Sequence, residues 1–226
     1  MVADARPVTC LTEDNVHLRG SYWEARDENA ISLLLIHDAG EDRSVWDPFV
    51  PFFRSRGWGV LAIDLRGHGE SVRQDMHTDL LKPNVEDLIS PHQYPTDMRT
   101  ALAFMARQPK AVPSKLAVIG VGLGADLVYA SSGRGWGNAS GVCIGLDDQR
   151  ARLLAGAGAF GPRSIYLIYG AGDSRSAGSA TAFAAVAQYP AETFAYPNTS
   201  STGITLYHER SPEIVARSIA WIERTI

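Results

Sequence analysis

A glycine-rich corner is the part of the chain in which residue type and spacing most directly suggest chemistry. Residues 115–131 read KLAVIGVGLGADLVYAS, an apolar run that passes through glycines into a helical pattern. Gly120, Gly122 and Ala125 fit G-x-G-x-x-A, in which backbone amides at a helix start bind a pyrophosphate. Gly120, Gly122 and Gly124 also fit G-x-S-x-G, the acyl-transfer corner, with the serine missing. The corner therefore indicates either dinucleotide binding or an acyl-transfer site without its nucleophile.

The elements around this corner predict an α/β fold. Continuous apolar runs such as SLLLI are typical of parallel strands buried on both faces, and they alternate with helical patterns. The chain up to Trp23 has no helical pattern and alternates polar with apolar residues, which predicts an antiparallel hairpin at the sheet edge. We therefore expect a mostly parallel, doubly wound sheet. The predicted strands begin near Val16, Ile31, Trp58, Lys115, Ser140 and Ser164.

Two helices are predicted from apolar stripes at helical spacing. The first covers residues 97–108, and the second covers residues 211–226 with Ser211 as N-cap and Pro212 as its first residue. The stripes consist of Met98, Leu102 and Met105 in the first helix, and of Val215, Ile219, Ile222 and Ile226 in the second. Residues 73–95 are polar and weakly periodic, which predicts an excursion over the sheet that could serve as a lid.

Composition limits the classes of partner. The 226 residues predict a single domain, and the net charge of −4 argues against nucleic acid and anionic membrane surfaces. No apolar run approaches the length of a membrane span, and residues 1–7 lack the apolar core of a signal peptide, while the compartment stays open. The two cysteines, Cys10 and Cys143, support neither a disulfide scaffold nor a cysteine-rich metal site. We expect no cofactor and a small neutral ligand.

The segment LLLIHDAGEDRSVWDPFVPFFRSRGWGVLAIDLRGHGES, residues 33–71, decides between the two interpretations of the corner. It resembles the α/β-hydrolase fold family, in particular small bacterial esterases and dienelactone hydrolases, with an oxyanion loop, a first helix and an Asp-x-Arg-Gly-His-Gly-x-Ser strand end. This resemblance covers nearly the whole chain and implies that GVGLG is the nucleophile elbow. A dinucleotide fingerprint normally opens the first βαβ unit, so dinucleotide binding through Gly120–Ala125, with Asp147 as the ribose-binding acid, stays a minor alternative.

The resemblance also implies that the catalytic triad is degenerate. Gly122 takes the nucleophile's place, and Asp173 in YGAGDSRS takes the place of the triad acid. Aligning the glycine, the leucine and the last helix with the family's His-Gly-Thr-x-Leu loop puts Thr202 where the histidine belongs. A threonine hydroxyl has no pKa near neutrality and cannot act as the general base. Asp173 also fits the N-cap of the helix that follows it.

A further departure from the family lies in HDAG, where Asp38 replaces the usual glycine. An ionised carboxylate beside the oxyanion hole opposes the charge that the amides of Ala39 and Leu123 would stabilise. The predicted ligand pocket is therefore lined by Asp38, Ala39, Gly122, Leu123, Asp173 and Thr202.

The remaining polar residues fit structural roles. His37 and His68 belong to loop signatures, and His208 fits a solvated or capping position. No pair of histidines has metal-ligand spacing. No nucleophile position is expected for Ser131, Ser132 or Cys143, and none of His17, His77 and His92 is expected to act in catalysis.

Losing the serine or the histidine of a triad costs on the order of 10⁶ in kcat, and the two losses are not additive. We therefore expect a pseudoenzyme that binds either a small apolar or ester-like molecule or a protein partner. The alternative is a carboxylester hydrolase that acts without a serine.

Overall fold

The computed structural model describes residues 5–83 and 93–226. Eight strands form one sheet in the order β1-β2-β4-β3-β5-β6-β7-β8. The strands are β1 (Arg6–Leu11), β2 (His17–Trp23), β3 (Ser32–Ile36), β4 (Gly59–Ile63), β5 (Leu116–Val121), β6 (Ser140–Ile144), β7 (Arg163–Gly170) and β8 (Gln188–Tyr196). The helices are α1 (Val50–Ser55), α2 (Gln93–Ala106), α3 (Leu123–Arg134), α4 (Asp148–Ala155), α5 (Ser174–Val186), α6 (Gly203–Glu209) and α7 (Glu213–Thr225).

Strand direction confirms the predicted topology. Strand β1 pairs with β2, and β2 with β4, in antiparallel fashion, whereas all the other pairings are parallel. The fold is thus a mostly parallel α/β sheet with an N-terminal antiparallel hairpin at one edge. The carboxyl ends of the parallel strands meet at one side of the sheet, which is where open α/β sheets place their ligands.

Helices cover both faces of the sheet and bury the runs that predicted parallel strands. The side chains of α2, α3, α4 and α5 pack into one apolar core, and those of α1, α6 and α7 pack into the other. Every residue of β3, β4, β5 and β6 is buried, as expected for strands covered on both faces. The predicted stripe of Met98, Leu102 and Met105 is buried in the first of these cores.

Several element boundaries differ from the sequence prediction. Helix α2 covers Gln93–Ala106 instead of residues 97–108. The last helix begins at Glu213, with Pro212 as its N-cap, so Ser211 is not the cap. Its buried face still contains the predicted Val215, Ile219 and Ile222. The helix expected after Asp173 is α5, which ends at Val186, and the chain then enters the edge strand β8, which was not predicted. Pro190 within β8 is compatible with an edge position, where one side of the strand makes no ladder hydrogen bonds.

The predicted lid, residues 73–95, lies partly outside the described residues, because 84–92 are not among them. At its start, Arg73 O accepts a 2.9 Å hydrogen bond from His17 N, and Gln74 forms a bridge with Val16. Its last three residues belong to the first turn of α2. Within the described parts of the chain, no helix has the length and apolar character needed to cross a bilayer.

Candidate functional site at the carboxyl ends of the strands

Gly122 forms a sharp turn between β5 and α3. Its φ of 53° and ψ of −115° lie in a region that side chains rarely adopt, so glycine suits the position. Its amide donates a 3.0 Å hydrogen bond to Ile144 O in the neighbouring strand β6. A Cβ on Gly124 would collide with the carbonyl oxygen of Ile36 at the end of β3, so that glycine lets the helix start approach the sheet. The predicted strand-to-helix elbow is therefore present.

The carboxylate of Asp38 fills the space in front of this elbow. Asp38 follows β3, and its Oδ1 accepts hydrogen bonds from Ala39 N at 2.7 Å and from Leu123 N at 2.8 Å. A Cβ built on Gly122 would collide with the carboxylate carbon and with both oxygens of Asp38. The sequence predicted that this carboxylate lies beside the two amides, whereas the structure shows that it occupies both of them.

Two buried histidines hold the loops that flank Asp38. His37 Nε2 accepts a 3.0 Å hydrogen bond from Leu65 N, which leaves Nδ1 protonated and able to donate to Asp38 O at 2.6 Å. Burial lowers the pKa of His37 to about 4, so the ring is neutral at pH 7. The ring of His68 lies 5.0 Å from that of His37, and its Nδ1 is 3.0 Å from Arg66 O. Both histidines thus contact backbone groups of these loops, in agreement with the structural role predicted for them.

Asp173 is the N-cap of α5. Its Oδ1 accepts hydrogen bonds from Arg175 N at 3.1 Å and from Ser176 N at 3.3 Å, which satisfies amides that a helix start leaves unpaired. Thr202 is the N-cap residue of α6, is exposed, and makes no capping hydrogen bond through its side chain. Asp173 and Thr202 thus each precede a helix at the carboxyl ends of the strands.

A pocket of about 470 Å³ brings these positions together. Four of the six predicted pocket residues line it, and Ala39 and Leu123 contribute through their amides to Asp38. Two arginines that the sequence did not single out, Arg150 and Arg175, and the Asp147 of the dinucleotide alternative contribute to the wall. The lining consists of Asp38, Gly122, Gly145, Asp147, Arg150, Asp173, Ser174, Arg175, Ser176 and Thr202. Among the described residues, no group of three or more His, Cys, Asp or Glu is placed to hold a metal ion.

A buried ion pair under the pocket was not predicted. Asp126 in α3 is fully buried, and its carboxylate accepts from Asp147 N at 2.8 Å and pairs with Arg150 Nε. Burial raises the pKa of Asp126, whereas the Arg150 guanidinium opposes that shift. The available signal was a charged residue inside the apolar run of α3, because a buried charge requires a partner.

The other candidate side chains lie away from the pocket. His208 is exposed in the last turn of α6, with its ring 5.5 Å from that of Phe49. Ser131 Oγ donates to Asn138 Oδ1 at 2.6 Å, and Ser132 Oγ donates to Arg163 O at 2.6 Å. None of these contacts presents a nucleophile or a base to the elbow. Cys143 is buried in β6, His17 pairs with Asp75, and His77 is exposed, so none of these three residues lines the pocket either. His92 lies outside the described residues.

Residues 33–221 match the model of the Alpha/beta hydrolase family, in a segment that contains both the Asp38 loop and the elbow. The chain belongs to the alpha/beta hydrolase family. This membership agrees with the strand order and with the position of Gly122 between β5 and α3.

Relatives of this α/β-hydrolase chain support the same fold. The uncharacterized protein YfhR of Salmonella typhimurium is 26% identical over 171 residues, which cover 74% of this chain and 51% of YfhR. The chain thus spans about half the length of this relative. The esterase Pf2001 of Pyrococcus furiosus has a TM-score of 0.71 at 17% identity, covering 98% of this chain and 93% of that one. A dienelactone hydrolase of Anabaena variabilis has a TM-score of 0.67 at 16% identity, covering 99% and 97% of the two chains.

Proposed function

We propose that this α/β-hydrolase has lost ester hydrolysis and binds a small polar molecule in the pocket beside its elbow. The observation that carries the proposal is the position of Asp38. Its carboxylate lies where the side chain of a nucleophile at residue 122 would be. It also accepts hydrogen bonds from the amides of Ala39 and Leu123, the two donors that an oxyanion would need. The site is therefore filled by a carboxylate of the protein itself.

Each step of acyl transfer lacks its reagent in this arrangement. Gly122 has no side chain to attack a carbonyl, and Thr202 has no group that takes up a proton near neutral pH. An oxyanion formed near Asp38 would meet a negative charge instead of two free donors, which raises the barrier rather than lowering it. Asp173 has a sufficient role as a helix cap without a histidine to orient.

The lining of the pocket favours a polar ligand over the apolar or ester-like one expected from the sequence. Five of the lining residues are charged, namely Asp38, Asp147, Arg150, Asp173 and Arg175. An apolar molecule would remove the water that is hydrogen-bonded to these groups and would offer no hydrogen bonds in its place, which costs free energy.

The same contact disfavours a dinucleotide. A pyrophosphate at the start of α3 would need the amide of Leu123, which donates to Asp38 Oδ1. It would also lie against a carboxylate of the same charge sign. Glycine at residues 120 and 122 is explained by the elbow alone.

The test is an esterase assay with p-nitrophenyl acetate and butyrate, accompanied by labelling with a fluorophosphonate probe that reacts with activated serines. We expect hydrolysis at the buffer rate and no labelling. An active serine esterase of the same fold serves as the positive control. Turnover that disappears in Asp173→Ala or in His208→Ala would contradict the proposal and would support a serine-independent hydrolase.

A further inference from the structure

Arg150 presents a fixed guanidinium to the pocket. Its Nε is paired with the fully buried Asp126, and its backbone amide donates to Asp147 Oδ1 at 3.2 Å. No described residue accepts a hydrogen bond from its two terminal nitrogens, although Arg150 lines the pocket wall. A guanidinium held in this way offers a planar pair of donors, the geometry that binds a carboxylate through both oxygens.

Asp38 presents a carboxylate oxygen to the same pocket. Its Oδ1 is taken by the two amides, whereas no described residue donates to its Oδ2. A Cβ built on Gly203 would lie 2.7 Å from this Oδ2, so the oxygen faces the start of α6 at the pocket wall. A carboxylate with one oxygen fixed and one free is a rigid acceptor for a ligand ammonium group.

We propose that the ligand of this pocket is a small zwitterion of the α-amino acid class, whose carboxylate binds Arg150 and whose ammonium group binds Asp38. This inference rests on the proposed function and adds the chemical class of the ligand. A second pocket of about 530 Å³ shares Asp147, Ser174 and Arg175 with the first and provides room for a polar side chain of such a ligand.

The balance of charges in the pocket selects a ligand with both signs. Arg175 Nη1 lies 3.4 Å from Asp147 Oδ2, so these two residues largely compensate each other. Asp173 caps α5 through Oδ1 alone, and no described residue donates to its Oδ2, which is a second free acceptor beside Asp38 Oδ2. Arg150 supplies terminal donors to the same pocket that no described residue accepts. An anion alone would be repelled by Asp38, and a cation alone would leave the Arg150 donors unused.

Arg150 keeps its positive charge in this environment. Burial alone would lower its pKa, but Asp126 first, and then Asp147 and Asp38, hold that pKa above its ordinary value. Asp38 thus lies close enough to Arg150 to act on it electrostatically. A ligand that bridges the two groups would replace water between opposite charges.

The experiment is isothermal titration calorimetry of the purified chain at pH 7 and low salt with each of the twenty free L-amino acids. Each amino acid that binds is then compared with its C-terminal amide, which has only the ammonium, and its N-acetyl derivative, which has only the carboxylate. The doubly blocked N-acetyl amide completes the series. We expect the zwitterion to bind about tenfold or more tightly than either singly charged analogue, because each loses one charge-assisted pair.

Two near-isosteric variants test the assigned groups. Asp38→Asn keeps an oxygen for the amides of Ala39 and Leu123 but replaces the free oxygen with a donor, so zwitterion affinity should fall about tenfold or more. Arg150→Lys keeps a positive charge beside Asp126 but removes the paired donors, and the same loss is expected. The control is Arg152→Lys in the same helix, because the Arg152 guanidinium lies 5.0 Å from the Phe160 ring and does not line the pocket.

The outcomes separate this inference from the proposed function. Binding of no free amino acid, or binding that the Asp38→Asn and Arg150→Lys variants leave unchanged, overturns the inference. Tighter binding of the doubly blocked analogue than of the zwitterion overturns it too, while leaving a polar binder in place. Ester turnover in the separate assay would instead overturn the proposed function.

Discussion

The Asp38 carboxylate lies where the Cβ of a side chain at residue 122 would be, so a substitution of Gly122 requires Asp38 to move. The two residues come from different parts of the chain, and the Asp38–Leu123 hydrogen bond that joins their loops spans 85 positions. The elbow keeps the backbone conformation of a nucleophile position while another residue fills the nucleophile's space. The glycine at residue 122 and the aspartate at residue 38 therefore depend on each other sterically.

This dependence predicts a strong coupling between substitutions at the two positions. Gly122→Ala should cost about 2–4 kcal/mol in the free energy of unfolding, from backbone strain and from collision with Asp38. In an Asp38→Gly background the same change should cost about 1–2 kcal/mol, because only the strain remains. Urea unfolding of the four proteins in the double-mutant cycle measures the coupling.

Gly135→Ala is a reference for a positive φ without collision. Gly135 has a φ of 66° and a ψ of 42°, and nothing lies within 4 Å of a Cβ built on it, so its variant should cost less than Gly122→Ala. A cost at residue 122 that does not change in the Asp38→Gly background would show that Asp38 does not fill the elbow.

Esterase activity should return only when three positions change together. Gly122→Ser supplies an Oγ, Thr202→His supplies an imidazole, and Asp38→Gly frees the two amides for the oxyanion. We expect p-nitrophenyl acetate hydrolysis above background in the triple variant and none in any single or double variant, since the groups act as one unit. A folded triple variant whose crystal structure brings Oγ and imidazole together, yet is inactive, would show that the pocket no longer accepts an ester.

The sequence predicted the elbow because its requirements are local. The run before Gly122 is apolar over a strand length, and the glycines at 122 and 124 meet a backbone angle and a close approach that few residues tolerate. The hairpin could be predicted for a similar reason, since alternation marks a strand with one face exposed. Strand β8 was missed because Gln188–Tyr196, QYPAETFAY, has no regular alternation of polar and apolar residues and contains a proline.

The electrostatics of the site could not be predicted in the same way. The direction of the Asp38 side chain depends on the amide of Leu123, which only the folded sheet brings to it. The pair of Asp126 and Arg150 joins α3 to α4 across 24 positions, and neither residue belongs to a motif. Charged contacts of this kind follow from tertiary packing, on which local spacing carries little information.

His37 should make stability fall in mild acid. Protonation would place a hydrogen on Nε2, which accepts from Leu65 N, and burial lowers the pKa of His37 to about 4 against about 6.5 when unfolded. The unfolded state therefore binds more protons in this range, so this contribution to stability is complete above about pH 6.5 and is lost as pH falls towards 4. The loss should reach about 3 kcal/mol.

The difference between the wild type and His37→Gln isolates this effect. Burial raises the pKa of Asp97 to about 6, which changes stability in the opposite direction over part of the same range. The wild type should lose more stability than His37→Gln between pH 6.5 and 4 in urea unfolding, whereas a control variant of the exposed His208, His208→Gln, should follow the wild type. Parallel curves for the wild type and His37→Gln would contradict the assignment of a neutral, buried ring.

The ion pair under the pocket predicts an asymmetric response to removing either partner. Arg150→Met leaves the fully buried Asp126 carboxylate without its counter-charge and should cost about 3–5 kcal/mol at pH 9, where the carboxylate of the wild type is ionised. Asp126→Asn should cost less, because Arg150 is partly exposed and can turn its guanidinium towards water. The double variant should cost less than the sum, since it leaves no uncompensated charge.

The pH dependence of Arg150→Met distinguishes a lost charge pair from lost packing. Burial raises the pKa of Asp126 to about 8 with Arg150 present, and this pKa should rise further without Arg150, because the guanidinium opposes the effect of burial. Above pH 8 the folded variant then binds more protons than the folded wild type, so its stability deficit should shrink as pH falls from 9 to 7. Urea unfolding at both pH values, with Arg152→Met as control, measures this change. A deficit that is equal at pH 9 and pH 7 would assign the cost to packing of the Arg150 side chain instead of to an uncompensated carboxylate.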